Sequence, residues 1–229
     1  MENGQKRAPS PPASGPKVQV KICGLTRVDE AVACAKAGAG AVGCVFYSKS
    51  PRCVTGETAR EILRVLPEEV TCVGVFVDET YDGIMRLMSL TGITAVQLHG
   101  GEPPELVERL CRDGFFVVKA LFADRHPGFG NAERYPASAF LVECGQGRLP
   151  GGNALPWQWS RAAELSERYP LILAGGLDPC NAAEALIAAS PDAVDVSSGV
   201  EAAPGRKDIF KVEQFISAVS GAAARRRVF

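Results

Sequence analysis

Residues 17–46 read KVQVKICGLTRVDEAVACAKAGAGAVGCVF. Two short runs in this stretch, 18–22 and 41–46, are rich in Val, Ile and Phe. They are nearly continuously apolar, as parallel strands covered on both faces are. The segment 28–37 between them has a helical pattern. Thr26 is its start signal, Asp29 and Glu30 follow in the first turn, and Gly38 stops it. The stretch is therefore a strand, a helix and a second strand.

Working outward, the same unit recurs. Further strands are expected at 72–77, 95–98, 116–120, 140–142, 171–173 and 193–196. Helices are expected at 57–66, opened by Thr55 and ended before Pro67, and then at 81–91, 103–112, 125–134, 157–167, 180–189 and 208–219. Strands alternating with helices imply a parallel sheet with crossover helices. An open doubly wound sheet and a closed (β/α)8 barrel both satisfy that pattern. Eight units with no segment left over favour closure, so the expected fold is α/β, a single (β/α)8 TIM barrel of eight parallel strands. It spans residues 17–220. Residues 1–16, polar and Pro-rich, read as a disordered leader, and 221–229, with Arg225, Arg226 and Arg227, as a solvated basic tail.

Composition narrows the function classes. The chain has 229 residues, 46% apolar and 22% charged, with a net charge of -1. Such a chain can bury a full core in one domain, and it carries no basic footprint for nucleic acid or an anionic membrane. No run reaches membrane-spanning length without charges or breakers. The eight cysteines include no C-x-x-C pair and there are only two histidines, so no metal site is expected. The cysteines read as reduced thiols of a cytoplasmic protein. Cys34, Cys72, Cys111 and Cys180 read as small core residues.

In a barrel the chemistry sits at the C-terminal ends of the strands. There the sequence places Lys21-Ile22-Cys23-Gly24, Ser50-Pro51-Arg52, Gln97-Leu98-His99-Gly100, Glu143, Ala174-Gly175-Gly176-Leu177 and Asp195-Val196-Ser197-Ser198-Gly199-Val200-Glu201. This ordered set resembles the phosphoribosylanthranilate isomerase family, whose markers are K-[IV]-C-G, S-x-R, Q-L-H-G, an acid ending strand six, G-G-L and D-V-S-S-G-V-E. Two places depart from it. The family's strand-six acid is an aspartate, and Glu143 stands there. Its G-G-T-G-K-T-F-D-W loop appears as 151–159, GGNALPWQW, with Ala154 for a glycine and Gln158 for an aspartate.

The resemblance implies an isomerase of tryptophan biosynthesis that interconverts an aldose amine and a ketose by an Amadori rearrangement, with no cofactor. One group protonates the ring oxygen and another removes the C2′ proton. Cys23 is the implied general base, acting as thiolate, and Glu143 the implied general acid. A carboxyl in that role has to be raised from about 4.3 by desolvation or a like charge. Arg52 is implied for the anthranilate carboxylate, which guanidinium binds bidentately. Gly175, Gly176, Ser197, Ser198 and Gly199 are the implied phosphate site, and Asp195 orients the substrate. Gln97 and His99 share strand parity and face one way. They read either as substrate-binding groups or, for His99, as a satisfied core histidine. Lys119 reads as a further inward side chain, and His126 as a surface-helix residue without a role.

The expected partner is a small phosphorylated molecule, with no nucleic acid and no membrane, on a monomer or homodimer. Two other functions fit the same barrel: a different phosphosugar isomerase, and a non-catalytic phosphate-ligand binder. Cys23 together with an acid at 143 speaks against the binder, which needs neither.

Overall fold

Alternation along each strand sorts the barrel into an inside and an outside. The computed structural model describes residues 15–146 and 157–229. Its strands are β1 (Gln19–Cys23), β2 (Ala41–Val45), β3 (Thr71–Phe76), β4 (Ala95–Leu98), β5 (Phe116–Phe122), β6 (Ala139–Glu143), β7 (Leu171–Leu173) and β8 (Ala193–Val196). All pair in parallel and β8 pairs back onto β1, closing the barrel. Val20, Ile22, Val42, Cys44, Phe76, Val96, Leu98, Val117 and Val194 point to the helix layer and belong to the main core. Val118, Ala120, Leu141, Ile172 and Ala193, with Ala41, Val73, Val75 and Ala95, fill the interior. Most strands are thus apolar on both faces, which is why most runs lack polar alternation, whereas β1 turns Gln19 and Lys21 inward between apolar neighbours.

Helices α1 (Val28–Ala37), α2 (Gly56–Val65), α3 (Tyr81–Thr91), α4 (Pro104–Arg112), α5 (Ala163–Arg168), α6 (Ala182–Ala189) and α7 (Ile209–Val219) surround the strands. Local chemistry sets several ends. The Thr55 side chain accepts the Thr58 N–H to cap α2, and Thr80 and Asp208 do the same for α3 and α7. The start signal at Thr26 is used differently from expectation. Arg27 is the N-cap of α1 without a side-chain bond, and Thr26 Oγ1 donates to Gly205 O at 2.6 Å. The helix expected at 125–134 shrinks to a 3-10 turn, Phe129–Arg134. Pro127, Gly128 and Gly130 resist a longer helix there, and His126 lies exposed in the loop before it. A second 3-10 turn, Trp159–Ala162, precedes α5. After β8 come the 3-10 turn Ser198–Val200 and an antiparallel hairpin, β9 (Glu201–Ala203) and β10 (Arg206–Lys207).

The tail read as solvated is docked. Arg225 and Arg226 donate backbone N–H groups to Asp192 Oδ1 at 3.0 and 2.8 Å. Val228 and Phe229 donate to Gln19 Oε1 at 2.7 and 2.9 Å, and Phe229 packs against the interior beside Phe116. Gln19, Phe116 and Asp192 all stand at the N-terminal ends of their strands, so residues 225–229 close the end of the barrel opposite the site. Of the expected leader, only residues 15 and 16 lie within the described residues, and Pro16 O accepts the Ala224 N–H at 2.8 Å. Among the described residues no helix is long and apolar enough to cross a membrane.

Candidate active site

Cys23 and Glu143 are the last residues of β1 and β6, at the same end of the barrel, with side chains directed inward by strand parity. Both are buried, at 8% and 5% exposure. The residues predicted for the site gather around them. Gln97 and His99, on the inward face of β4 and just beyond it, touch each other, Gln97 Nε2 lying 2.9 Å from His99 Nδ1. His99 Nε2 then stands 3.3 Å from Glu143 Oε1. Neither His99 Nε2 nor Gln97 Oε1 has a hydrogen-bond partner among the described residues. The ring also packs edge-on to Phe122 at 5.7 Å. His99 therefore lies buried at the mouth, beside Glu143.

Asp195, on the inward face of β8, is taken by a partner the sequence reading did not assign. Lys21 Nζ donates to its Oδ1 at 2.8 Å. The two Cα atoms are register partners across the β1–β8 seam. Burial works against the Lys21 ammonium, but Asp195 and Cys23 outweigh it and hold its pKa above the ordinary lysine value. For Cys23 burial dominates and pushes the thiol up, with Lys21 pulling the other way.

Arg52 is buried and already engaged. Its Nε and Nη2 donate to Glu201 Oε1 and Oε2 at 2.8 and 2.7 Å, a bidentate pair. Gly24 makes room for it. At φ +79 a side chain is strained there, and a Cβ would strike Arg52 Cδ. Glu201 also accepts from Lys207 Nζ at 2.9 Å. Burial pushes the Glu201 carboxyl up, yet Arg52 and Lys207 together hold it below its usual range. Lys21, Glu201 and Lys207 were missed as site residues.

The glycine turn after β7 and the turn after β8 meet. A Cβ on Gly199 would strike the Leu177 carbonyl. Gly175 and Gly176 have φ of 85 and 70, Ser198 and Gly199 sit in the 3-10 turn, and Ser197 Oγ donates to Cys23 O at 3.0 Å. The indoles of Trp157 and Trp159 donate to Ala174 O and Gly175 O at 2.9 and 3.2 Å, tying the end of the strand-six loop to this turn. Ala154 lies outside the described residues, whereas Gln158 is exposed. Lys119 does not face the site. It shares parity with the outward Val117 and Leu121, and its Nζ donates to Glu102 Oε2 and Gly100 O, both at 2.7 Å. Of the four cysteines read as core, Cys34 and Cys72 are buried, Cys111 is half-buried and Cys180 is exposed, in the turn ahead of α6.

Fold and site together define a (β/α)8-barrel protein whose inward thiol, carboxyl, imidazole and ammonium groups converge at the C-terminal mouth. The profile of the N-(5'-phosphoribosyl)anthranilate (PRA) isomerase family matches residues 20–218. The isomerase of Desulfatibacillum aliphaticivorans is 54% identical over 199 residues, covering 87% of this chain and 91% of its own. The crystal structure of phosphoribosyl anthranilate isomerase from Thermotoga maritima superposes with a TM-score of 0.82 at 39% identity, over 89% of this chain and 99% of its own. A further solved isomerase, in complex with reduced 1-(o-carboxyphenylamino)-1-deoxyribulose 5-phosphate, has a TM-score of 0.78 at 38% identity, again over 89% and 99%. The chain belongs to the N-(5'-phosphoribosyl)anthranilate isomerase family.

Proposed function

We propose that Cys23 and Glu143 are the base and the acid with which this family member isomerises N-(5'-phosphoribosyl)anthranilate. The reading rests above all on one observation: the two side chains end β1 and β6 at the same mouth, both inward and both buried. Glu143 gives its proton to the ring oxygen as the nitrogen lone pair breaks the C1′–O bond, leaving an iminium that keeps the amine hydrogen. Cys23 as thiolate takes the proton from C2′, and the resulting enolamine becomes the ketone by moving its hydroxyl proton to C1′. One proton leaves Glu143 and one enters Cys23, and proton exchange with solvent resets the pair, so the net change is an internal rearrangement with no external redox partner and no cofactor.

Binding follows from the surroundings. The anthranilate carboxylate goes to Arg52, whose Nε edge is held by Glu201 and whose other edge remains chemically able to take a second carboxylate. The phosphate goes to the adjoining turns at 175–176 and 197–199, the usual place after strands seven and eight. The solved relative bound to the reduced product analogue supports a phosphorylated ligand of this kind. The buried Gln97 Oε1, without a hydrogen-bond partner among the described residues, and His99 Nε2, beside Glu143 Oε1, supply polar atoms for the reacting end. The test is to give the purified protein phosphoribosylanthranilate generated in place and follow anthranilate-type fluorescence. Its enzyme-dependent decay is expected, and no decay above the spontaneous rate would overturn the reading.

A further inference from the structure

A thiolate in a closed barrel needs a positive charge beside it. Lys21 stands two residues before Cys23 on β1, so both side chains enter the interior. Its side chain is 0% exposed and its Nζ is fixed on Asp195 at 2.8 Å. Gly43, register partner of Cys23 on β2, leaves the space both end groups use. A Cβ there would lie 2.8 Å from Cys23 Sγ and 3.3 Å from Lys21 Nζ.

The wider cluster is unbalanced. Lys21, Arg52 and Lys207 are three buried cations, and Asp195 and Glu201 are the two carboxylates that pair with them. With Cys23 as a thiol the cluster holds one positive charge too many, and as a thiolate it is neutral. The neighbours do not alter that count. Glu30 of α1 faces Lys207 from outside and is matched by Arg206 and Arg27. The thiols of Cys44 and Cys72, on β2 and β3, face each other at 3.9 Å in the helix layer. Tyr47 packs against the interior group that contains Cys23.

We propose that Lys21 is the counter-ion of the Cys23 thiolate, a positioning residue held on Asp195 and directed at the sulfur. The proposal rests on the reading of Cys23 as the base. Burial pushes the thiol up, and Lys21 is the largest influence in the opposite direction, ahead of Lys207. Asp195 has a double effect: it holds Lys21 in place, and its own charge works against the thiolate.

The test reads the sulfur directly. The full chain is labelled with iodoacetamide across a pH series, and modification of Cys23 is followed on its own peptide by mass spectrometry. Removing an opposite charge at this range shifts a pKa by about 1–3 units. Lys21→Met is therefore expected to move the labelling midpoint upward by about that much, while Lys21→Arg stays near wild type. A folded Lys21→Met protein with an unchanged midpoint would overturn the proposal. Should Lys21→Met fail to fold, Lys21→Met/Asp195→Asn is compared with Asp195→Asn alone. A higher midpoint in the double variant supports the counter-ion, and equal midpoints reject it. Labelling needs no turnover, so an active Cys23→Ala enzyme would sink the base assignment without touching this result.

Discussion

Arg52 joins a buried ion pair of the fold to the recognition role proposed for it. Its guanidinium closes a bidentate pair with Glu201 and lies over Gly24. A carboxylate bound by it is present in the ground state and in the transition state alike. Arg52→Ala is therefore expected to raise KM more than it lowers kcat, read by steady-state kinetics, and a large fall in kcat at unchanged KM contradicts the role. Arg52→Lys is expected to rescue little, because a point charge cannot bind Glu201 and a second carboxylate in one plane. The SPR motif made Arg52 legible, whereas its partner lies 149 residues away and left no local sign. Gln97 and His99 were legible for a simple physical reason: period-two alternation puts both on one face, and the structure joins them at 2.9 Å.

Among the elements, the β9–β10 hairpin carries the residues that the sequence reading passed over. Glu201 and Lys207 face each other there, and Arg52 completes the group. Glu201→Gln leaves two buried cations short of a counter-charge, a change of the type that costs about 3–5 kcal/mol. Thermal unfolding checks this, and an unchanged melting temperature contradicts it. The pH dependence has a definite sign. The folded pKa of Glu201 lies below its ordinary value. Its contribution is thus complete above about pH 4.3 and is lost as pH falls through the folded value. Glu201→Gln is expected to flatten that acid-side slope. The elements themselves were legible where periodicity was strong, as in α3, found at the expected bounds. They failed at 125–134, where proline and glycines outweigh the apolar spacing. They failed again at Lys119, whose outward parity follows only once Val118 and Ala120 are known to face inward.

At the scale of the molecule, closure creates contacts that no stretch of chain announces. Lys21 meets Asp195 only because β1 and β8 become neighbours, with the two residues in register. Given a closed barrel, an inward lysine on the first strand and an inward aspartate on the last were the available signal. The opposite end is closed by residues 225–229, through Asp192, Gln19 and the side chains of Val228 and Phe229. Composition marked this segment as a charged tail, since its three arginines hide two apolar residues. Removing 225–229 is expected to cost about 2–4 kcal/mol of burial, a drop in Tm of about 5–15 °C, with kcat/KM preserved below the transition. A full-length melting temperature in the truncated chain contradicts the docking.

A buried thiol and a buried carboxyl stand at one mouth, and the proposed mechanism divides the two proton transfers between them. Glu143 is the sharper half to test, because it departs from the family's aspartate by one methylene, and a misplacement of about 1 Å can cost about 10²-fold. The decisive measurement is kcat on phosphoribosylanthranilate for wild type, Cys23→Ala, Glu143→Gln and Glu143→Asp, with binding of the reduced product analogue measured in parallel. Cys23→Ala and Glu143→Gln are expected to lose about 10²–10⁴-fold or more. Glu143→Asp is expected to keep intermediate activity, and all three variants to keep analogue binding. Wild-type turnover in either Cys23→Ala or Glu143→Gln would contradict the proposed mechanism.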